Sequence, residues 1–317
     1  MKKVAAIVLW AVGLALLVAA CFEASRHADA IRTAWGAMSD APLWLIACVV
    51  IGPLANMFFT GAAFCVLNRH YAKVGLGENV VLIMSANLLN YLPLRPGMLG
   101  RVAFHRKVHG IRVTDSAKVL AGSMIGSSVG VTGLIVAAAA TLATGSGRVG
   151  LVVGAGICLG LFVGGHAARA AGRPWWRLLT ASGIKFLDSA VWAGRYAAVF
   201  ALVGAPINAG AAIALALVGQ VTMLVPLFGN GLGLREWSIA LVAPVLAIGA
   251  MDGSVVDPTA LAADLLNRGV EVLVALPAGV LATLFAGAWL RRAIAQGRAL
   301  PDEPGEPEGP GASADAP

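Results

Sequence analysis

The stretch NYLPLRPGMLGR at residues 90–101 has a near copy at residues 224–236, which read LVPLFGNGLGLRE. Each copy is an apolar run that is interrupted by proline, continues through glycines, reaches an arginine and leads into a further apolar segment. Proline and glycine end helices, because proline lacks an N–H group and glycine loses much conformational entropy on folding. Within a membrane, such a break is tolerated only where it is buried in protein or lines a watery cavity. Two breaks at corresponding places in two halves of a chain indicate a transport site.

The composition around these breaks is typical of a membrane protein. Hydrophobic residues make up 59% of the chain, charged residues 12%, and the mean hydropathy is +0.83. A helix needs about 20 apolar residues to span a bilayer. We predict six full spans, at residues 4–22, 43–67, 117–143, 149–168, 179–203 and 259–290. Residues 79–100 and 208–250 are predicted to be broken or re-entrant elements, so the fold class is an all-α polytopic membrane protein.

The distribution of Lys and Arg predicts the orientation of these spans. Basic residues concentrate at residues 2–3, 69–73, 101–118, 169–177 and 291–292. The loops near residues 144–148, 204–208 and 251–258 are poor in them. Because cytoplasmic loops carry the excess of Lys and Arg, both termini are predicted in the cytoplasm, in a multi-pass protein of the inner (cytoplasmic) membrane.

This orientation makes the two breaks face opposite ways. With six spans, the first broken element enters from the cytoplasmic side and the second from the other side. Each half, at about residues 1–145 and 146–296, then consists of two spans, a broken element and a further span. That order is an inverted-topology repeat within one integral membrane domain at residues 1–296. Residues 297–317 are rich in Pro, Gly and acid, and are predicted to be a disordered tail.

Ionisable residues inside the predicted spans form two stripes. They are Asp264, Arg268 and Glu271, at i, i+4 and i+7, and Lys185, Asp188 and Arg195, at i, i+3 and i+10. A charge at the bilayer centre costs about 2.5–3.5 kcal/mol, so these residues are expected to face protein or water rather than lipid. One interpretation is a static ion-pair network that ties helices together. The other is a polar cavity for a substrate headgroup, and the neighbouring breaks favour it.

Arginines beside the breaks are the candidate ligands for an anion. Arg95, Arg101 and Arg235 adjoin glycine-rich turns that are predicted to open short helices, whose N-termini attract anions. The planar guanidinium also binds phosphate or carboxylate through two hydrogen bonds. Glu236 is expected to hold Arg235 or Arg268 when the site is empty, or to take up a proton. Arg101 fits an interfacial anchor equally well.

No catalytic, cofactor or metal site is predicted. The chain lacks the motifs GxxxxGK[ST] and HExxH. His105 and His109 are four residues apart, but they lie in a basic segment and are interpreted as a solvated interfacial face. The excess of Lys and Arg is explained by membrane topology, so no nucleic-acid partner is predicted.

At the two breaks the chain resembles the lysylphosphatidylglycerol synthase transmembrane-region family, a flippase-like membrane domain, over roughly residues 40 to 292. The first motif is similar at Asn90, Pro93, Arg95, Gly97 and Arg101. The second is similar at Pro226, Gly231, Gly233, Arg235 and Glu236, followed by Asn267-Arg268. The resemblance implies movement of lipids, such as aminoacylated phospholipids or polyprenyl-linked sugars, across the bilayer.

The chain departs from the family pattern in its first half. Met98 stands where the first motif usually has an acid, and Met124-Ile125 replace an acid–arginine pair that is often found on the third span. The second half is therefore the better guide to the site. A soluble aminoacyl-transfer domain is not found in the sequence, so synthesis of lysyl-lipid is not expected.

The sequence thus predicts a lipid translocase, which would move a phosphate-bearing lipid or lipid-linked intermediate through a cationic cavity between two re-entrant elements. The predicted substrate-binding residues are Arg95, Arg101, Lys185, Asp188, Arg235, Glu236, Asp264, Asn267, Arg268 and Glu271. The alternatives are a secondary transporter of a small anionic solute and a non-transporting scaffold for lipid-biosynthetic enzymes. The predicted partners are membrane lipids with anionic or phosphate-bearing headgroups. A second copy of the chain or a lipid-biosynthetic enzyme is a further candidate partner.

Overall fold

The structure is a computed structural model that describes residues 41–91, 96–223, 229–231, 233–246 and 257–296, with Ala15, Val18 and Phe22. The described residues form helices and short connections, and no strand occurs among them. The all-α class is therefore confirmed. Most of the predicted span at residues 4–22, Arg95 and the predicted tail lie outside the described residues.

The described residues form nine α-helices. These are α1 (Leu43–Asn68), α2 (Leu76–Leu89), α3 (Pro96–His109), α4 (Val113–Thr144), α5 (Gly147–Ala170), α6 (Trp176–Leu202), α7 (Ala209–Thr222), α8 (Leu234–Val242) and α9 (Pro258–Ala295). Short 3₁₀ turns at Gly229–Gly231 and Pro244–Leu246 flank α8.

Four of these helices, α1, α4, α5 and α9, are long and apolar enough to cross a membrane. They coincide with four of the predicted spans. The predicted span at residues 179–203 corresponds to α6, which differs because it carries Lys185, Asp188 and Arg195 and buries more than half of its residues. Helix α6 contacts α1, α4, α5, α7 and α9, so it is the central helix of the described part. The charges of α6 are therefore covered by the other helices.

Local sequence explains where several helices begin and end. The Asn208 side chain accepts a hydrogen bond from Ala211 N–H (2.9 Å) and caps α7. Asp257 accepts from Thr259 N–H (2.8 Å) and caps α9, whose first residue is Pro258. A side-chain acceptor before the helix and a proline at its first position both favour a helix start. Helix α4 ends at Gly145, which takes a left-handed φ of 64° that glycine adopts without strain.

The second predicted broken element, residues 208–250, contains the short helices α7 and α8, whereas the first, residues 79–100, covers most of α2 and only the start of α3. In the second, Asn230, Gly231 and Gly233 have φ values of 50°, 73° and 76°, which explains the glycines before α8. In the first, Gly97 lies against the backbone of Ala86, where a Cβ atom would clash. The glycines thus let each broken element turn or fold back closely.

The helix connections differ in charge between the two ends of the molecule. The α1–α2, α3–α4 and α5–α6 connections carry Arg69, Lys73, Arg112 and Arg173, whereas residues 145–146 and 203–208 carry no Lys or Arg. Side-chain contacts place these basic connections together at one end of the molecule. His109 Nε2 lies 2.6 Å from Glu78 Oε1, and Arg177 Nη1 lies 3.4 Å from His70 Nδ1. We call this the basic end.

The prediction of a solvated face at His105 and His109 is wrong for His105. Helix α3 packs against both α2 and α4, and His105 is only 4% exposed. Phe104 beside it is buried as well. The basic composition of residues 101–118 concealed this short buried face.

Candidate functional site

Six ionisable side chains meet in the interior between α6, α8 and α9. They are Arg195, Arg235, Glu236, Asp264, Arg268 and Glu271, and each is at most 4% exposed. The spacing of Asp264, Arg268 and Glu271 along α9 places them on one face of that helix, as the sequence predicts. This face packs toward α8 and α6.

Arg235 is fully enclosed within this network. It is 0% exposed, and its Nε donates to Asp264 Oδ2 and its Nη1 to Glu271 Oε2, both at 3.0 Å. Asp264 is held from a second side, because Tyr196 Oη donates to its Oδ1 at 3.0 Å. One arginine of α8 thus bridges two acids of α9.

Arg268 connects α9 to the turn before α8. Its Nε donates to Glu236 Oε1 (2.9 Å), and its Nη2 donates to the Asn230 carbonyl (3.0 Å). The left-handed conformation of Asn230 brings that carbonyl into reach. Asn230 Nδ2 also donates to Asn87 Oδ1 (3.1 Å), which ties the turn before α8 to α2.

Arg195 extends the network from α6 to α1. Its Nη1 donates to Asn56 Oδ1 (3.1 Å), and its Nη2 donates to Asn267 Oδ1 (2.8 Å) and to Glu271 Oε2 (3.3 Å). The guanidinium carbon lies 4.5 Å from the centre of the Trp192 ring. Gly52 gives it room, since a Cβ atom there would lie 2.5 Å from Arg195 Cδ.

A second ion pair, between Lys185 and Asp188 (2.5 Å), continues the network along α6. Asn56 joins the two parts, because its Nδ2 donates to Asp188 Oδ1 (2.7 Å) while its Oδ1 accepts from Arg195. Thr60 also contacts this pair, through a 3.2 Å hydrogen bond from Lys185 Nζ. The polar interior is therefore continuous from α8 to α1.

The network is balanced in formal charge, with four cations (Lys185, Arg195, Arg235 and Arg268) and four carboxylates (Asp188, Glu236, Asp264 and Glu271). Within the described residues, Arg235 Nη2, Arg268 Nη1 and Glu236 Oε2 have no hydrogen-bond partner. A buried pair is strongly destabilised when one member is removed, because the other is left as an uncompensated charge. The balance accounts for the burial of so many charges.

A cavity of about 620 Å³ lies beside this network. It is bounded by α1, α2, α3, α4, α6, α7 and α9, and Lys185, Asp188, Arg195 and Glu271 contribute to its wall. Its volume is in the range of small-molecule pockets, about 300–1,000 Å³. The cavity is not closed along α4, where Met124, Ser128, Thr132 and Ile135 line it and are exposed.

Arg101 lies in the cavity wall away from the network. Its guanidinium carbon is 3.7 Å from the centre of the Phe64 ring. No carboxylate of the described residues lies within ion-pair distance of it, in contrast to Arg235 and Arg268. Arg101 is thus a cavity cation whose charge is balanced by no described acid.

The structure divides the predicted site residues into two groups. Arg101, Lys185, Asp188 and Glu271 line the cavity, together with Arg195. Arg235, Glu236, Asp264, Asn267 and Arg268 are buried in the network and do not line it. Arg95 lies outside the described residues. The two stripes are therefore brought together, but only part of them reaches the cavity.

Sequence reasoning missed Asn56, Tyr196 and Asn230. Asn56 is 7% exposed and links two ion pairs, and a lone Asn in an otherwise apolar predicted span was the available signal. Tyr196 follows Arg195 directly and had no signal of its own. Asn230 stands between two glycines, and this sequence favours a left-handed turn.

Comparison of the chain with protein-family models and with curated proteins finds no match.

Proposed function

We propose that this chain is a lipid translocase that moves a phosphate-bearing headgroup between leaflets through the cavity. The observation that carries the proposal is the combination of a charged inner wall with an open side along α4. Arg101 and Lys185 would contact the phosphate, while the acyl chains stay outside α4. Because α4 is one of the four membrane-length helices, its exposed cavity stripe would face the bilayer.

The helix order supports an inverted repeat behind this cavity. Helices α1 to α4 follow the same order of long, short, short and long as α6 to α9. Helices α2 and α7 have 14 residues each, and α1 and α6 have 26 and 27. If α1–α4 are exchanged with α6–α9, the α2–α9 contact becomes the α4–α7 contact. The α4–α6 contact likewise becomes the α1–α9 contact. All four contacts occur in the structure.

The charges of the helix connections support the proposed orientation. By the positive-inside rule, the basic end would lie on the cytoplasmic side of the inner membrane. Helix α2 begins at the basic end, whereas α7 begins after the uncharged connection at residues 203–208. The two broken elements would then enter from opposite faces, as alternating access requires.

The two groups of site residues would act differently. Arg101 and Lys185 would bind the headgroup, with Asp188 competing for Lys185 when the cavity is empty. The network of Arg235, Arg268 and their acids would keep the second broken element closed against α9. Membership of the flippase-like family, which the two motifs suggest, is part of the proposal.

A leaflet-exchange assay tests the proposal. Purified protein in proteoliposomes is given fluorescent lipids with phosphatidylglycerol, phosphatidylethanolamine and phosphatidylcholine headgroups, and movement between leaflets is timed against empty liposomes. We expect faster exchange of at least one lipid, a slower rate for Arg101→Gln and a largely retained rate for Arg101→Lys. Equal rates in filled and empty liposomes for every headgroup would reject translocation.

The balanced charge of the network also fits the alternative of a non-transporting scaffold. If the ion pairs only join helices, Arg101→Gln should leave every measured rate unchanged while Arg235→Met lowers stability. Uptake of a small anion without lipid movement would favour the solute transporter instead.

A further inference from the structure

Two arginines share one tryptophan at the basic end. The guanidinium carbons of Arg169 on α5 and Arg177 on α6 each lie 5.1 Å from the centre of the Trp176 ring. His70, at the end of α1, is 3.4 Å from Arg177 Nη1. The cluster thus brings α1, α5 and α6 together at a point outside the cavity.

These two cations have no anionic partner in the described part of the chain. No described carboxylate lies within ion-pair distance of either arginine. Arg177 Nε is buried and has no hydrogen-bond partner among the described residues. Two like charges held on one indole repel each other, so an anion between or beside them would stabilise the arrangement.

The surroundings of the cluster match a membrane–water interface. Trp175 is 52% exposed next to Trp176, and tryptophan is enriched at the headgroup level of bilayers. Stacking on an indole fixes the plane of a guanidinium, and a planar fork suits the oxygens of a phosphate. Anionic lipid of the cytoplasmic leaflet attracts basic residues placed at this depth.

We infer that Arg169, Arg177 and Trp176 form a binding site for the headgroup of one anionic phospholipid at the basic end. This site is separate from the cavity, and it does not rest on the proposed translocase function. The lipid would hold the ends of α5 and α6 together by bridging their arginines.

Arg173 provides a matched control for charge alone. It lies between the two arginines in sequence, is exposed, and makes no ring contact among the described residues. A diffuse basic surface would use all three arginines alike. A stacked site would depend on Arg169 and Arg177 and on a tryptophan that carries no charge.

Native mass spectrometry of the full chain in detergent, titrated with short-chain phosphatidylglycerol, tests the site. We expect one tightly retained lipid, binding about tenfold weaker in Arg177→Gln and several-fold weaker in Trp176→Leu, and less than about threefold weaker in Arg173→Gln. Phosphatidylcholine should bind more weakly than phosphatidylglycerol. Arg177→Lys, which keeps the charge but loses the planar fork, should also weaken binding and replaces Trp176→Leu if that variant does not fold.

Three results would overturn the inference. One is an equal loss in Arg173→Gln and Arg177→Gln with no effect of Trp176→Leu or Arg177→Lys, which indicates diffuse charge. Another is equal affinity for the two lipids. The third is displacement of the lipid by millimolar inorganic phosphate, which indicates a site for a small anion.

Discussion

Helices α4 and α9 would correspond to each other in the proposed repeat, yet their aligned faces differ in exposure. When Ala117 is aligned with Ala260, Met124 and Ile125 correspond to Asn267 and Arg268. Met124 and Ile125 are each 50% exposed, whereas Asn267 is 0% and Arg268 4% exposed. The charged face of α9 is drawn into the interior by partners on α6 and α8, while the apolar face of α4 stays uncovered beside the cavity.

In the proposed repeat, this difference would leave one half closed and the other open at the cavity. The second half is closed by ion pairs that have no equivalent in the first half, because α4 carries no charge at the corresponding positions. Under the proposed function, these unequal halves would make the site accessible from one side.

The largest effect is expected from breaking the closed half. Arg235→Met should lower the free energy of unfolding by about 3–5 kcal/mol, because Asp264 and Glu271 lose a buried counter-charge. Thermal unfolding in detergent measures the change. Arg148→Met is the control. Arg148 is exposed at the start of α5, so its replacement should change the stability little. Equal stability of the two variants would contradict a role for the pairs.

The next largest effect is expected from a larger side chain at Gly52, which lies against Arg195. Gly52→Val should destabilise the protein by about 2–3 kcal/mol, because the added side chain would collide with buried Arg195. Gly156→Val is its match on α5, where nothing lies within 4 Å of an added Cβ. Unfolding midpoints that fall equally for both variants would show only a general cost of valine in these helices.

A smaller effect is expected from pH at α3, which lies outside the four membrane-length helices. Burial, with help from the charge of Arg101, lowers the pKa of His105 from 6.5 to about 4. The unfolded chain therefore binds a proton on this residue between pH 6.5 and 4 that the folded chain does not. The contribution of His105 to the free energy of unfolding is therefore complete above pH 6.5 and is lost as the pH falls. The loss is about 1–2 kcal/mol at pH 5.

His105→Phe should remove this part of the pH dependence. The measurement is the unfolding midpoint at pH 7.5 and pH 5, with His166→Phe on the exposed surface of α5 as the control. We expect a smaller acid shift in His105→Phe and a shift like that of the native protein in His166→Phe. The same shift in all three proteins would place the acid sensitivity elsewhere.

Sequence reasoning succeeded where the signal was local. The predicted spans at residues 43–67 and 259–290 lie within α1 and α9, because hydropathy and helix caps are properties of neighbouring residues. The i, i+4, i+7 spacing likewise placed Asp264, Arg268 and Glu271 on one face. These parts of the fold needed no knowledge of which helices meet.

The pairing of the charges could not be predicted, because it depends on helices distant in the chain. Arg235 pairs with Asp264 and Glu271, and it is Arg268 that pairs with Glu236, the residue next to Arg235. Asn56 lies 139 residues from Arg195 in sequence and still accepts its hydrogen bond. The exposure of the α4 face is equally a result of packing, since no single-sequence pattern shows which side of an apolar helix remains uncovered.

Blocking the cavity with a bulky side chain tests whether a lipid headgroup passes through it. Ser128 lines the open cavity on α4, while Val129, the next residue, is exposed on the same helix but does not line it. Lipid exchange between leaflets is timed in proteoliposomes that contain the native protein, Ser128→Trp or Val129→Trp. We expect Ser128→Trp to fall to the rate of empty liposomes and Val129→Trp to keep the native rate. Equal rates for the two tryptophan variants would contradict a headgroup pathway through this cavity.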